Sequence, residues 1–409
     1  MIPSTYNLVN YESRGDMEQE REIACPACAG AQAQVFYEVR GVPTQSNRLL
    51  VSLEHARGVT TGDLRLAACR GCGLVWNEAF DPDLVEDGAV YEATQGHSPE
   101  FVAAATALAR GWADRYRLEG KTIVEIGCGD GEFLALLCRT AGARGIGFDP
   151  LLDPSRVPAG PGLTYVRDAF GDRSVELPAD FVCCRHTLEH IADPAAFVQA
   201  LRRSIGRRAE TIVAFEVPDV VRILREGAFW DIYYEHCSYW SPGSIARLFR
   251  ATGFDVVALR HEYSGQYVVI EGQPARGGTP TRLHLEEDPE ALGAAVANFA
   301  STVSEQVSRW NRRLDELLAA GRRLALWGSG SKAVGFLTAI ERGGEIAYVV
   351  DINPRKQGTY LPKTAQEIVP PTFLQHYRPD TVIVMNPVYR AEISRTLDQL
   401  DLSPTLLTL

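Results

Sequence analysis

Twice along this chain, a short apolar stretch runs into a glycine-rich turn that opens an apolar helix. The first copy is IVEIGCGDGE at residues 123–132, and the second is LALWGSGSKA at residues 324–333. An acid ends the next predicted strand in both cases, Asp149 after the first copy and Asp351 after the second. This order is typical of parallel α/β sheets that bind ligands at the carboxyl ends of their strands. The chain is therefore predicted to contain two α/β units, the second smaller than the first.

Length and charge narrow the classes of protein to which the chain can belong. With 409 residues, 45% hydrophobic and 23% charged, it is long enough for two or three globular domains. Its net charge of −11 argues against binding nucleic acid over a broad surface. No apolar run approaches the roughly 18 residues of a membrane helix, and the polar residues 1–20 lack the pattern of a signal peptide. We therefore expect a cytoplasmic protein without a membrane partner.

Four of the nine cysteines stand in two CxxC pairs, Cys25 with Cys28 and Cys69 with Cys72. An odd number of cysteines in a long chain does not suit a disulfide framework. Two pairs of thiolates can close a tetrahedral zinc site that has no open position, so we predict a structural zinc ion. Iron in the same geometry and ordinary reduced cysteines are the alternatives.

The first glycine turn is short, with the pattern GxGxG, and a glutamate precedes it. Glycines let the backbone approach a ligand closely, and an acid at the end of the second strand suits a ribose diol. This arrangement resembles the cofactor site of class I S-adenosylmethionine (SAM) methyltransferases. The resemblance implies that the methionine part lies along the glycines, the ribose beside Asp149 and the adenine near the next strand end. The implied cofactor-binding residues are Glu125, Gly127, Gly129, Gly131, Asp149, Asp168 and Ala169. A purely structural glycine turn is the alternative.

Histidines lie in two further segments that such a sheet brings to the same edge. HTLEH occupies residues 186–190, and YYEH occupies residues 233–236. Imidazole can take a proton near pH 7, and a neighbouring carboxylate can orient it and stabilise its charged form. The two segments therefore predict a site for proton transfer over the SAM site. A metal site made of His190, Glu235 and His236 is one alternative, and a packing or surface role for each histidine is another.

Nearly all of residues 21–409 resemble the bacterial sugar C-methyltransferases of branched deoxysugar and antibiotic pathways. The resemblance rests on the paired CxxC knuckles, EIGCGDG, HTLEHI, YYEH and, near the C-terminus, GSGSKA and VVDINPRKQG. It implies that a nucleotide-linked ketosugar loses an α proton and that the resulting enolate attacks the methyl group of SAM. It also implies four catalytic positions, namely Tyr233, Glu235, His236 and His190.

Methyl transfer to carbon needs a base and a hydrogen-bond donor to the enolate oxygen. We expect His236 to be the base and Glu235 to orient it. Tyr233 and His190 are expected to hydrogen-bond the carbonyl oxygen or sugar hydroxyls, and His186 to contact the substrate. This chemistry requires no catalytic metal.

The second glycine turn has the spacing of a dinucleotide site, which makes an NAD-linked oxidoreductase the main rival from another class. Such turns also bind other diphosphates at the helix N-terminus. Gly328, Gly330 and Lys332 are therefore candidates to hold the pyrophosphate of a nucleotide-sugar acceptor, with a scaffold role as the alternative. A non-catalytic binding protein would leave the acids and histidines of the first unit without a role.

The predicted fold is α/β, with a class I SAM methyltransferase doubly wound sheet between an N-terminal zinc-binding domain and a C-terminal Rossmann-like α/β domain. The predicted limits of the three domains are 21–80, 81–273 and 283–409, the last including a long amphipathic helix over 292–317. We expect a small-molecule substrate and a monomer or homodimer. Methylation of oxygen or nitrogen of a small molecule is the alternative activity. SGQY at residues 264–267 departs from the pattern expected of sugar enzymes, which makes an acceptor other than a sugar nucleotide the alternative substrate.

Overall fold

The computed structural model describes residues 23–85, 91–171, 177–277, 279 and 281–409. The predicted polar tail at residues 1–20 lies outside this range. Within it, the strands are β1 (Ala33–Pro43), β2 (Thr61–Cys69), β3 (Val75–Asn77), β4 (Thr122–Ile126), β5 (Arg144–Phe148), β6 (Leu163–Val166), β7 (Phe181–Arg185), β8 (Ile212–Pro218), β9 (Ser238–Tyr239), β10 (Phe254–Glu262), β11 (Tyr267–Pro274), β12 (Leu324–Trp327), β13 (Tyr348–Val350), β14 (Glu367–Val369), β15 (Thr381–Val384) and β16 (Thr405–Thr408). The α-helices are α1 (Leu53–Arg57), α2 (Pro99–Tyr116), α3 (Glu132–Ala141), α4 (Pro194–Ile205), α5 (Val220–Glu226), α6 (Pro242–Ala251), α7 (Gly293–Ala319), α8 (Ser331–Ala339), α9 (Leu374–Tyr377) and α10 (Arg390–Gln399).

A seven-stranded sheet forms the middle of the molecule, in the order β10-β11-β8-β7-β4-β5-β6. Strands β8, β7, β4, β5 and β6 are parallel, while β11 runs antiparallel to both of its neighbours. The strand order reverses at β4, because β5 lies on one side of it and β7 on the other. Ligands bind at such a reversal, outside the carboxyl ends of the strands. The predicted doubly wound α/β fold is confirmed, and its crevice opens where β4 runs into the first glycine turn.

A second parallel sheet of five strands, in the order β14-β13-β12-β15-β16, lies in the C-terminal part of the chain. Its order also reverses at its first strand, β12, which runs into the second glycine turn. The four residues of β12 are all buried, as expected of a parallel strand covered by helices on both faces. The chain therefore contains the two predicted α/β units.

An antiparallel sheet in the order β1-β2-β3-β9 contains Cys69 at the end of β2, and the CxxC pairs pack against the core of the central sheet. Its last strand, β9, comes from the segment just after YYEH and pairs with β3. This antiparallel sheet and the candidate catalytic segment are therefore joined by backbone hydrogen bonds. The domain limits predicted from the sequence stay predictions.

Helix α7 packs one apolar face against two different units. Its buried residues recur at intervals of three and four, namely Val296, Phe299, Val303, Val307, Trp310 and Leu314. Phe299 meets Tyr37 of β1 with ring centroids 5.0 Å apart, and Trp310 meets Phe336 of α8 at 5.1 Å. The predicted helix over 292–317 thus packs between the N-terminal antiparallel sheet and the C-terminal α/β unit. Among the described helices, none combines the length and the apolar character needed to cross a bilayer.

Candidate active site

The first glycine turn is shaped by backbone conformations that favour glycine. Gly127 has φ 71°, and a Cβ atom there would come within 2.7 Å of Cγ2 of Thr187. Gly129 has φ 53°, and its N–H donates to Oδ2 of Asp149 at 2.8 Å. The other oxygen of Asp149 accepts from the N–H of Leu151, also at 2.8 Å. The loop and the acid that the sequence paired are therefore in direct contact, at the reversal in strand order.

Glu125 is buried at the end of β4, and its Oε2 finds no hydrogen-bond partner among the described residues. Burial raises the pKa of Glu125 to about 8, while the nearby guanidinium of Arg185 lowers it. A raised pKa favours the neutral carboxyl group, which can hydrogen-bond a ligand without placing a buried charge in the crevice. Asp168 and Ala169 lie on the exposed stretch that follows β6. All predicted cofactor residues thus lie on one edge of the sheet.

His236 lies in a buried turn, where its backbone N–H donates to the carbonyl oxygen of Tyr233 at 3.2 Å. Its ring centroid is 4.1 Å from that of Tyr233 and 4.8 Å from that of His190. Burial and the neighbouring His190, His186 and Lys332 hold the pKa of His236 well below its usual range. The ring is therefore a neutral imidazole at physiological pH, which is the form that accepts a proton.

His190 contacts the same turn through its Nδ1, which is 2.8 Å from the backbone carbonyl oxygen of Glu235. A carbonyl oxygen only accepts, so Nδ1 of His190 is the donor, and the neutral ring leaves Nε2 as an acceptor. In that form His190 can accept a hydrogen bond from a substrate hydroxyl but cannot donate one to an enolate oxygen.

Tyr233 is a suitable donor. Burial and the charges of Asp231 and Glu235 raise the pKa of Tyr233 well above its usual value, so its phenol stays protonated.

Glu235 does not orient His236, and this expectation from the sequence is wrong. Its Oε1 accepts from the N–H of Ser46 at 3.0 Å and from the hydroxyl of Ser46. The carboxylate of Glu235 thus contacts the N-terminal segment, while the ring of His236 lies against His190 and Tyr233. Burial raises the pKa of Glu235, and the hydrogen bond from Ser46 lowers it. The predicted metal trio of His190, Glu235 and His236 is not assembled for the same reason.

A different carboxylate lies beside the histidines. Glu189 is 1% exposed, and one carboxylate oxygen of Glu189 and one ring nitrogen each of His190 and His236 lie within 4.8 Å of one another. Its Oε1 is also 3.7 Å from Nδ1 of His186. Glu189 is not among the site residues predicted from the sequence. Its place in HTLEH, one residue before His190, is the signal that was available.

His186 follows β7 with φ 50°, which is uncommon for a residue other than glycine and recurs at functional sites. Its ring is 4.5 Å from that of Tyr267, and its Nε2 is 3.5 Å from Oε2 of Glu216. Glu216 is held by Nε of Arg185 at 2.5 Å. His186 thus lies beside the catalytic cluster but packs towards β8 and β11, one strand further along the sheet.

Asp351, the acid that follows the second glycine turn, is hydrogen-bonded to neighbouring residues of the chain. Oδ2 of Asp351 accepts from the N–H and the hydroxyl of Ser329, at 2.9 and 2.5 Å, and its Oδ1 accepts from the N–H of Asn353 at 2.8 Å. The acid that would bind a ribose is therefore already hydrogen-bonded. Asp149 is hydrogen-bonded to the first glycine turn in the same way.

Lys332 is not free for a pyrophosphate, which corrects the prediction made for it. Its Nζ forms an ion pair with the buried Asp231, just before the YYEH segment. Arg222 is bound to the same carboxylate at 2.6 Å. Gly328 and Gly330 lie in the turn as predicted, and a Cβ atom at Gly330 would meet Oδ1 of Asn47 at 3.9 Å. The turn therefore faces the N-terminal segment and the candidate active site.

The C-terminal unit also contacts the active site through Ser331. The hydroxyl of Ser331 donates to that of Ser46 at 2.7 Å, because the single proton of Ser46 goes to Glu235, and Nδ2 of Asn47 donates to the oxygen of Ser331 at 2.9 Å. Nζ of Lys356 donates to Oδ1 of Asn47 at 3.0 Å. Sequence reasoning missed Ser46 and Asn47, because nothing in the stretch between the CxxC pairs marks them.

The four cysteines of the CxxC pairs come together as predicted. Sγ of Cys25 is 3.5 Å from that of Cys72, Sγ of Cys28 is 3.6 Å from that of Cys69, and all four lie within 4.8 Å of one another. Sulfurs at the corners of a tetrahedron with a metal–sulfur distance of about 2.3 Å are roughly 3.8 Å apart. A disulfide would need about 2 Å. The cluster therefore has the size of a four-thiolate metal site.

Two family models match the chain in succession. One described as "Methyltransferase domain" matches residues 95–259, and one described as "C-methyltransferase C-terminal domain" matches residues 283–403. Among curated proteins, the chain is similar to the C-methyltransferase NovU of Streptomyces niveus. The two are 26% identical over 365 residues, which cover 85% of this chain and 86% of the relative.

Two further similarities are confined to part of the chain. The Ubiquinone biosynthesis O-methyltransferase of Cupriavidus pinatubonensis is 27% identical over 176 residues, covering 37% of this chain and 68% of the relative. The solved structure of the 1,6-didemethyltoxoflavin-N1-methyltransferase of Burkholderia thailandensis is 16% identical with a TM-score of 0.35, covering 44% of this chain and 82% of that one. The similarity to NovU, in contrast, extends over most of the chain.

Proposed function

Because the chain belongs to the family of SAM-dependent C-methyltransferases, we propose that its substrate is a nucleotide-linked ketosugar or a related keto compound, methylated at the carbon next to the carbonyl group. One observation carries this proposal: a buried, neutral imidazole, His236, lies against Tyr233 and His190, and His190 belongs to the segment whose Thr187 meets Gly127 of the glycine turn. A carbon next to a carbonyl group becomes nucleophilic only after losing a proton, so the site must contain a base.

His236 is the proposed base. It takes the α proton of the acceptor, and the electron pair of the broken carbon–hydrogen bond passes into an enolate. SAM supplies an electrophilic methyl group, and the new carbon–carbon bond forms as the bond from that methyl to sulfur breaks. The proton held by His236 then leaves to solvent, which restores the base. A low pKa of the free imidazole keeps this group ready for its task across the neutral range.

Tyr233 is the proposed donor to the developing enolate oxygen. Its raised pKa keeps the phenol protonated, and its ring lies against that of His236. A donor that is fixed before the reaction stabilises charge where it develops, without reorganisation of solvent. His190 is the proposed acceptor for a hydroxyl of the substrate, because its Nδ1 is held by the carbonyl oxygen of Glu235.

The proposed SAM site consists of Gly127, Gly129, Gly131 and Asp149, with Glu125 below the turn and Asp168 and Ala169 at the next strand end. The contact between Gly129 and Asp149 supports this assignment, since it holds the ribose acid against the loop. Asp149→Ala is expected to weaken SAM binding by about 1–3 kcal/mol, the usual worth of hydrogen bonds to a charged group. Calorimetry with S-adenosylhomocysteine measures the change.

Zinc is the proposed occupant of the four-cysteine cluster. Burial and the neighbouring sulfur of Cys69 hold the pKa of the Cys25 thiol at about 12, so four thiolates cannot coexist here without a cation. A divalent metal reverses this balance by binding the deprotonated form. With four protein ligands the ion has no open position, and its role is structural.

A panel of nucleotide-linked ketosugars incubated with methyl-labelled SAM tests the proposed function. Mass spectrometry is expected to find one added methyl group on carbon, and the wild-type enzyme with S-adenosylhomocysteine bound is expected to exchange the acceptor's α proton in deuterated water. His236→Ala should lose both activities by roughly 10²–10⁴-fold. His55→Ala, at an exposed position of α1, is the matched control. A methyl group on oxygen or nitrogen, with His236→Ala nearly as active as the wild type, would overturn the proposal in favour of O- or N-methylation.

A further inference from the structure

Glu189 is a buried carboxylate that the mechanism above does not use. It is 1% exposed, and within the described part of the chain neither of its oxygens has a hydrogen-bond partner. Buried polar groups are almost always hydrogen-bonded, and a buried charge is normally paired. A carboxylate with two free oxygens in this position therefore needs a donor or a cation during the working cycle of the enzyme.

The groups that can satisfy Glu189 are imidazoles. Nδ1 of His186 is 3.7 Å from its Oε1, and one ring nitrogen each of His190 and His236 lies within 4.8 Å of one of its oxygens. Nδ1 of His190 is already used by the carbonyl oxygen of Glu235, whereas Nδ1 of His236 is buried and unpaired among the described residues. A movement of about 1–2 Å would bring His236 and Glu189 to hydrogen-bond distance.

Glu235, the carboxylate predicted from the sequence to orient His236, is hydrogen-bonded to another residue. Oε1 of Glu235 accepts two hydrogen bonds from Ser46. Glu189 is thus the carboxylate with free oxygens next to the proposed base.

We propose that Glu189 is the positioning residue for His236: its carboxylate accepts the N–H of one ring nitrogen, leaves the other nitrogen free for the acceptor's α proton, and stabilises the imidazolium that forms. This inference rests on the proposed function and adds to it the identity of the carboxylate. In this step the carbon–hydrogen bond of the acceptor breaks, a nitrogen–hydrogen bond forms on His236, and no bond of Glu189 changes. Glu189 keeps its charge throughout, since it only accepts a hydrogen bond.

The charged and titratable groups around the pair come from several elements. His236 is faced by His190, His186, Lys332, Tyr233 and Tyr239. Glu189 is faced by His186, Tyr91, Tyr233, Cys184 and Cys237. Burial and the neighbouring His190, His186 and Lys332 lower the pKa of His236, so an anion beside the ring stabilises the imidazolium.

Glu189→Gln keeps the shape of the side chain and removes the charge. Without that anion the pKa of His236 falls, so the base stays deprotonated to lower pH. The acid limb of the pH profile of kcat/KM is then expected to move down by about one unit or more, the usual effect of an opposite charge at this distance. The rate on the plateau is expected to fall by about tenfold or more, with KM little changed. Glu189→Asp should recover part of the rate. Glu54→Gln, on the exposed surface of α1, is the control.

A second measurement needs no acceptor substrate. In protein labelled with ¹⁵N-histidine and saturated with S-adenosylhomocysteine, long-range proton–nitrogen spectra show which ring nitrogen of His236 carries the proton. Glu189→Gln is expected to change the nitrogen shifts of His236, identified from the spectrum of His236→Asn, while Glu54→Gln leaves them in place. Unchanged shifts of His236 in Glu189→Gln would overturn the inference.

The outcomes separate this inference from the function on which it rests. If His236→Ala abolishes α-proton exchange while Glu189→Gln leaves both the acid limb and the nitrogen shifts of His236 unchanged, only the role of Glu189 is wrong. If the acid limb moves in Glu235→Gln instead, Glu235 is the partner after all. A second stoichiometric metal ion, beyond that of the cysteine cluster and lost in Glu189→Gln, would make the cluster a metal site and would also overturn the inference.

Discussion

Gly127 and Gly129 provide a test of how the first glycine turn works, because the same substitution should act on them through different states. Both have a positive φ, 71° at Gly127 and 53° at Gly129, so alanine is strained at either position. A Cβ atom at Gly127 would approach Cγ2 and Cβ of Thr187 to 2.7 and 2.8 Å. A Cβ atom at Gly129 would meet nothing within 4 Å. Gly127→Ala therefore clashes inside the protein, whereas Gly129→Ala projects into the open crevice.

The magnitudes follow from these two effects. Left-handed backbone costs a residue with a Cβ about 1–2 kcal/mol, which applies to both variants. Overpacking adds about 1–3 kcal/mol at Gly127 alone. Thr187 cannot turn away easily, because it is β-branched and its hydroxyl donates to the carbonyl oxygen of Arg185 at 3.0 Å. Gly127→Ala is thus expected to destabilise the ligand-free turn by about 1–3 kcal/mol more than Gly129→Ala.

Hydrogen–deuterium exchange of peptides from β4 and α3 measures this difference locally. A difference of about 1–3 kcal/mol corresponds to exchange roughly 5–150 times faster in Gly127→Ala than in Gly129→Ala, without SAM. Calorimetry with S-adenosylhomocysteine should show the complementary result, a large loss of affinity in Gly129→Ala despite its more stable turn. Equal exchange in the two variants would refute the clash with Thr187. Full affinity in Gly129→Ala would refute the assignment of the open crevice to the methyl donor.

Three further predictions concern other parts of the molecule. Cys69→Ser should lose the zinc ion and lower the melting temperature, as metal analysis and thermal unfolding will measure; full retention of zinc would contradict the four-thiolate site. The raised pKa of Glu125, about 8, means that the folded state loses stability relative to Glu125→Gln as pH rises from about 4.5 to 8. Parallel stability–pH curves for the two proteins, measured by urea unfolding, would show that this burial cost is absent. Lys332→Met should destabilise the chain by about 3 kcal/mol, since it leaves Asp231 buried with Arg222 as its remaining ion-pair partner. Lys332→Arg should be much milder, and equal losses in the two variants would argue against the ion pair.

Much of the fold could be predicted because its signals are local. The glycine turns, the acids that end the following strands and the three-four spacing of α7 each lie within a short window of sequence. The CxxC pairs are also local, and four thiols of this spacing have few other uses. The pairing of β9 with β3 could not be foreseen in this way. Ser238 and Tyr239 form a strand of two residues, far too short for a period-two pattern to show.

The candidate site was predicted in its residues but not in its contacts. Tyr233, His236 and His190 lie together as the motifs suggested, although His190 follows β7 of the central sheet and the other two precede β9 of the antiparallel sheet. The partner of Glu235 could not be predicted, since Ser46 lies 189 residues earlier in the chain. Adjacency in sequence suggested that Glu235 serves His236. The carboxylate of Glu235 is instead bound by the N–H of Ser46, a long-range contact that adjacency cannot reveal.

These contacts give the C-terminal unit a part in the chemistry that does not depend on its binding a nucleotide. Ser331 at the start of α8 hydrogen-bonds Ser46, which in turn holds Glu235, and Lys332 on the same helix neutralises Asp231 two residues before Tyr233. The turn that carries the proposed base is therefore supported from the first unit on one side and from the third on the other. Its backbone is fixed by contacts that lie outside the methyltransferase sheet. A SAM-binding unit of this kind, separated from the other two, would retain its glycine turn and Asp149 but lose the supports that hold Tyr233 and His236 together.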